Sequence, residues 1–132
     1  MTFKKGDYFS EQFIVSSEIH ERFIDLFKDK NPLHTDESFA IANKFESRVM
    51  HGNILNGFIS YFVGECLPSK NIIIHSQDIV YKKPVYLNDR LRLNVTVENI
   101  YESVHAVEFK FEFINTGLKL VAKGKFQIGL LV

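Results

Sequence analysis

Asp29, Asn31 and His34 fall within one six-residue run, Asp29-Lys30-Asn31-Pro32-Leu33-His34. A carboxylate and an imidazole held close together form a general acid/base pair. Histidine titrates near neutral pH, and an aspartate beside it can orient it or share the work on a water molecule. Pro32 fixes the local backbone and predicts that the preceding helix stops there, because the residue before a proline is pushed toward extended geometry. The three side chains then stand on a rigid, irregular segment, where reactive groups often sit. The same residues also fit a plainer description, a helix end at Asp29, an Asn-Pro turn and a surface histidine. The run by itself leaves both open.

Gly52 adds a third element. It follows His51 and opens a charge-free stretch. A glycine at a helix N-terminus lets a ligand approach the backbone, and its N–H points outward at the positive end of the helix dipole. That is a ready donor for a developing oxyanion. Close packing at a chain turn would require the same glycine. His51 reads either as a satisfied core histidine or as a substrate contact. No metal site is expected, since no pair of histidines or cysteines stands at ligand spacing. Cys66 is the only cysteine, so an intramolecular disulfide is impossible and a cytosolic, reducing setting is the default. Its neighbours Phe62, Val63 and Leu67 favour an inert core thiol.

These groups must be positioned by the rest of the chain, whose character changes once, near residue 70. Before that point the periodicity is mainly helical. A short strand is expected over 9–15. Ser16 and Ser17 then precede Ile19, Phe23, Leu26 and Phe27, one apolar helical stripe with Glu18 and Glu21 in its first turn. Thr35 is expected to cap a second short helix carrying Phe39, Ile41 and Ala42. The charge-free segment from His51 to Gly64 is too short for the roughly 20 residues that span a bilayer, so it reads as a buried helix, running through Cys66 and closed by Pro68 and Ser69. After residue 70 the chain alternates with period two: Leu91, Leu93, Val95 and Val97; Val107, Phe109, Phe111 and Phe113; and the even positions from Leu118 to Leu130. Each reads as a strand with one wet and one dry face. Asn115-Thr116-Gly117 is a turn signal. A less regular strand covers 72–81, followed by Pro84 and an Asn88-Asp89 turn.

A helix apolar on nearly every side must be surrounded, and the dry faces of four or five antiparallel strands can do this if the sheet curls around it. The expected architecture is therefore α+β, a hotdog fold, in a single domain spanning 1–132. The chain of 132 residues is 45% hydrophobic and 14% aromatic, enough for a real core, and its 16 basic residues balance its 16 acidic ones. A neutral chain of mixed sign carries no electrostatic footprint for nucleic acid or an anionic membrane. The first residues hold no apolar stretch of signal-peptide type, and a cytoplasmic location is expected.

The run from Asp29 to His34 resembles the D-x-N-P-x-H motif of the MaoC-like, (R)-specific enoyl-CoA hydratases. Phe45-Glu46 through Val49-Met50-His51-Gly52 is similar to that family's lead into its central helix. Ser60 falls where these hydratases often carry a serine. Tyr81-Lys82-Lys83-Pro84-Val85, with Asn88-Asp89, is similar to F-x-x-P-V-x-x-G-D. The resemblance runs from about residue 16 to the C-terminus. Lys28, Arg48 and Asn88 depart from its commonest pattern, although Asn tolerates a left-handed turn. The resemblance implies a hotdog homodimer joined through its sheets. The substrate would be a trans-2-enoyl thioester of coenzyme A or acyl carrier protein, hydrated with no metal or redox cofactor. It further implies that Asp29 and His34 activate a water and handle the α-carbon proton, that Asn31 holds their geometry, and that the Gly52 N–H polarises the carbonyl. Ser60 and His51 would contact or support the substrate. A dehydratase for a polar acyl group, a non-catalytic acyl-thioester-binding module and a thioesterase are the rival activities on the same fold.

Overall fold

The computed structural model describes residues 2–132. Alternation in the second half of the chain becomes one antiparallel sheet: β1 (Tyr8–Ile14), β2 (Ile72–Tyr81), β3 (Arg90–Tyr101), β4 (Ala106–Asn115) and β5 (Leu120–Leu130), in the order β1-β3-β4-β5-β2. Register aligns the dry faces. Leu93, Val95 and Val97 sit opposite Phe113, Phe111 and Phe109, and Phe109 sits opposite Phe126, all of them buried. A one-residue slip would turn this whole set to solvent, so the pattern itself specifies the pairing. Phe111 lies opposite Gly124. Gly124 has to be glycine, because a Cβ there would collide with the Asp78 carbonyl and the Phe111 ring.

Against the dry face lies α4 (Asn53–Tyr61), which continues as a π-helical turn over Phe62–Cys66. Ile54, Leu55, Phe58 and Ile59 point into the sheet and are buried. Phe58 stacks on Phe13 of β1 at 4.4 Å, and Phe62 meets Phe9 edge-on at 6.0 Å, pairs worth about 0.5–1.5 kcal/mol each beyond the area they bury. The sheet packs on one side of the helix. One five-stranded sheet offers one dry face, and Asn53, Gly57, Ser60, Tyr61 and Gly64 remain exposed along the opposite, uncharged face of the helix.

The N-terminal half contributes α1 (Ser17–Phe27), α2 (Pro32–Thr35) and α3 (Glu37–Ala42). Ser16 caps α1 by accepting from the Ile19 N–H, and the stripe seats Ile19 and Phe23 on the core while Leu26 and Phe27 stay exposed. Three boundaries differ from expectation. The first helix ends before Pro32, because Lys28 adopts a left-handed conformation (φ 62°) and its N–H caps Ile24. Pro32 instead starts α2, where its missing N–H and fixed φ suit the first helical position. Asp36, not Thr35, caps α3, its carboxylate accepting from the Phe39 N–H. Leu118 belongs to the turn before β5, at φ 59° and 85% exposed, because the tight connection from Asn115 takes up that residue.

The Asn88 turn forms as read, with Asn88 at φ 68°. Asp78 lies on the edge strand β2 and accepts from the Lys125 N–H, a strand-edge role. No helix among the described residues is long and apolar enough to cross a membrane.

Candidate active site

The left-handed residue Lys28 turns the chain off α1, and short-range hydrogen bonds shape the segment beyond it. The Asp29 carboxylate accepts from the Asn31 N–H at 3.2 Å. The Asn31 side-chain oxygen accepts from the Leu33 N–H at 3.0 Å, capping α2. Thr35 Oγ1 donates back to the carbonyls of Lys30 and Asn31. Such side-chain-to-backbone bonds are what Asp and Asn supply in turns. Asn31 thus acts through the backbone: it fixes the start of the single helical turn that presents His34.

The His34 ring is fixed by a second strut. Its Nδ1–H donates to the Val49 carbonyl at 2.7 Å, while the Val49 N–H donates to the Leu33 carbonyl at 3.0 Å. With Nδ1 used as donor, Nε2 is the basic nitrogen left to act. His51 packs 4.0 Å from the His34 ring, centre to centre. His51 Nε2 donates to the Asp29 carbonyl oxygen at 2.9 Å and stands 4.0 Å from the Asp29 carboxylate. Polar side-chain atoms of Asp29, His34 and His51 all lie within 4.8 Å of one another. The Asp29 side chain is 48% exposed and that of His51 2%, so Asp29 faces outward and His51 underlies it.

Asp29 and His34 each line a cleft. One, about 400 Å³, is lined by His34, Gly52, Leu55, Tyr81, Lys82 and Lys83 among others. The other, about 750 Å³, is lined by Asp29, Phe23, Phe27, Ile54, Asn56 and Phe58 among others. Gly52 stands at the head of α4 in helical geometry (φ −58°, ψ −34°), and its N–H meets no backbone acceptor among the described residues. A Cβ on Gly52 would lie 2.7 Å from the Tyr81 ring. The close packing read for this glycine is therefore present, and it leaves the N–H without a backbone partner among the described residues.

The structure brings Asp29, His34 and Gly52 to one place. It puts His51 beneath them, bonded to the Asp29 backbone and among the lining residues of neither cleft, the place of the core histidine rather than of the substrate contact. Ser60 is also not brought in. It lies on the exposed face of α4, two turns or about 12 Å along the helix from Gly52, with no hydrogen bond to the cluster. Cys66 is half-buried, and burial, with Glu11 nearby, raises its pKa, as expected of an inert thiol.

Sequence reasoning missed His20. It sits on the buried stripe of α1, 3% exposed, with its ring 5.5 Å from that of His51. The available signal was a histidine one residue from Ile19 and three from Phe23, inside an otherwise apolar stripe. Neither of its ring nitrogens has a partner among the described residues. Burial holds its pKa down, reinforced by His51, Arg48 and His34 and opposed by Glu21. The unfolded chain therefore binds this proton more readily than the folded one, and stability falls as pH drops below the ordinary imidazole value of about 6.5. Thermal melts between pH 8 and pH 5 should show Tm falling on the acid side. His20→Leu should flatten that slope, and an unchanged slope would contradict this origin.

Comparison with known proteins places this geometry. The model of the MaoC like domain matches residues 6–115. The chain belongs to the MaoC-like domain family. Two curated MaoC-like relatives named (R)-specific enoyl-CoA hydratase are similar to it. That of Rhodospirillum rubrum is 32% identical over 80% of this chain and 73% of its own length. That of Aeromonas caviae is 31% identical over 82% and 81%. The solved (R)-hydratase of A. caviae, described as involved in PHA biosynthesis, superposes with a TM-score of 0.89 at 26% identity, covering 97% of each chain. This MaoC-like domain therefore has the hotdog fold expected of it.

Proposed function

We propose that this protein hydrates trans-2-enoyl thioesters to (R)-3-hydroxyacyl thioesters, or catalyses the reverse dehydration, using Asp29 and His34 as the acid/base pair. The observation that carries the reading is their convergence within 4.8 Å, with Gly52 lining the same cleft as His34. Adding water across the conjugated double bond breaks one water O–H bond and forms a C–O bond at C3. The π electrons of the double bond move onto the thioester oxygen. That oxyanion collapses as a proton is delivered to C2. The reaction needs a base for water, an acid for C2 and a donor for the oxyanion. Asp29 and His34 supply the first two, and the Gly52 N–H the third. Asn31 holds the turn, and His51 anchors the Asp29 backbone from below. The (R) configuration rests on the names of the relatives.

Coenzyme A enters as part of the substrate, and the reaction as written needs no metal or redox cofactor. Lys82 and Lys83 border the His34 cleft, which no acidic residue lines, and this favours a phosphate-bearing carrier. The aromatic cleft at Phe23, Phe27 and Phe58 suits the acyl chain. The protein acts as a homodimer in the cytoplasm on this reading. The edge strand β2 exposes Ile73 and Val80, and an exposed edge invites pairing with a second copy.

The test follows loss of enoyl-thioester absorbance on coenzyme A and acyl-carrier-protein substrates of several chain lengths, with a thiol reagent present and the mass in solution determined. Hydration without thiol release, by a particle of twice the chain mass, is the expected result. Thiol release would indicate a thioesterase. Tight binding without turnover would indicate a non-catalytic module.

A further inference from the structure

The phenol of Tyr81 stands beside Gly52. A Cβ on Gly52 would lie 2.7 and 2.8 Å from two ring carbons and 3.0 Å from the hydroxyl oxygen. Tyr81 and Gly52 line the same cleft as His34. The polar neighbours of the hydroxyl are ordered. Gln77 Nε2 donates to Asn56 Oδ1 at 2.6 Å, which fixes the Asn56 amide. Its Nδ2 then donates to Asn53 Oδ1 at 2.9 Å and to the Tyr81 oxygen at 3.5 Å. The phenol oxygen thus accepts on its protein side, and its own proton has no protein acceptor among the described residues. A phenol that accepts from behind is left to donate forward.

We propose that the Tyr81 hydroxyl is a second hydrogen-bond donor to the thioester oxygen, acting with the Gly52 N–H. This rests on the hydration reading above. The chemistry favours two donors, because charge develops on that oxygen in the transition state and donors already held in place stabilise it without reorganising. Tyr81 itself is 48% exposed, so its hydroxyl is open to an incoming ligand. Burial raises the Tyr81 pKa, opposed by the Asn56 hydrogen bond, so the group keeps its proton across the working range. The sequence motif that this segment resembles has phenylalanine at the position of Tyr81, so the second donor is a feature of this chain and not of the motif.

Tyr81→Phe removes only the hydroxyl and keeps the ring that packs on Gly52, so the fold is expected to survive with an unchanged Tm. For crotonyl-CoA hydration kcat should fall about 10–100-fold, toward the range for loss of one oxyanion donor, with KM little changed. A wild-type kcat in Tyr81→Phe would overturn the proposal. A readout free of turnover is the ultraviolet spectrum of bound acetoacetyl-CoA, whose enolate shares its charge between that thioester oxygen and the C3 oxygen. The wild-type protein should hold more of it as enolate than Tyr81→Phe at equal saturation, and equal fractions would overturn the proposal. If the wild-type protein fails to hydrate any enoyl thioester, the hydration reading falls and the enolate comparison still decides whether Tyr81 donates.

Discussion

Asp29→Asn is expected to lower kcat for enoyl-thioester hydration by roughly 10³-fold, within the 10²–10⁴ range for a positioned acid/base group, while the far-ultraviolet circular dichroism stays that of the wild type. The change is nearly isosteric. The amide oxygen of the new side chain can still accept from the Asn31 N–H that the Asp29 carboxylate now holds at 3.2 Å. The contact to the backbone below also survives, because His51 donates to the Asp29 carbonyl and not to its side chain at hydrogen-bond distance. What disappears is the capacity to take a proton from water. His34→Asn should do comparable damage, and the double variant should be little worse than either single one, since groups that act on one proton transfer are strongly non-additive. Full additivity in the double variant would mean that the two residues act in separate steps.

Phe109→Ala is expected to destabilise the fold by about 3–5 kcal/mol, the usual loss for truncating a buried phenylalanine, read as a lowered urea midpoint. Phe109 is fully buried and stacks on Phe126 at 4.8 Å with Phe3 edge-on at 5.6 Å. It sits mid-strand in β4, between β3 and β5, so little backbone can relax into the void. A domain typically has about 5–15 kcal/mol in all, so this variant should be largely unfolded by modest denaturant. Its residual folded fraction should keep near-wild-type activity, because β4 lines neither cleft at the site. A loss below about 1 kcal/mol would show that the core collapses around the gap more easily than interiors usually do.

The sheet was legible because period-two alternation maps onto burial residue by residue. Leu91 to Val97 and Val107 to Phe113 are buried at the odd positions the pattern marks. The buried helix was legible as a charge-free segment. Its exposed face was not, because Gly57, Ser60 and Gly64 are uncharged whether they face protein or water. The site divides along the same line. Asp29, Asn31, His34 and Gly52 stood out by type and spacing, and the resemblance to the MaoC-like hydratases singled them out from the plainer readings; local turns and a helix start fix them within a few residues. His20 and the placement of His51 were not, because both depend on packing between α1 and the start of α4. Tyr81 was readable as a strand end, but its hydroxyl meets Gly52 only through the sheet, 29 positions apart in sequence.

The most direct measurement is the configuration of the product that purified protein forms from crotonyl-CoA, read by coupling to dehydrogenases specific for each 3-hydroxyacyl enantiomer. (R)-3-hydroxybutyryl-CoA, formed by the wild-type protein and lost in Asp29→Asn, is the expected result: the dependence on Asp29 follows from the site geometry and the (R) configuration from the names of the relatives. No hydration of crotonyl-CoA or of longer enoyl thioesters, an (S) product, or full activity in Asp29→Asn would contradict it.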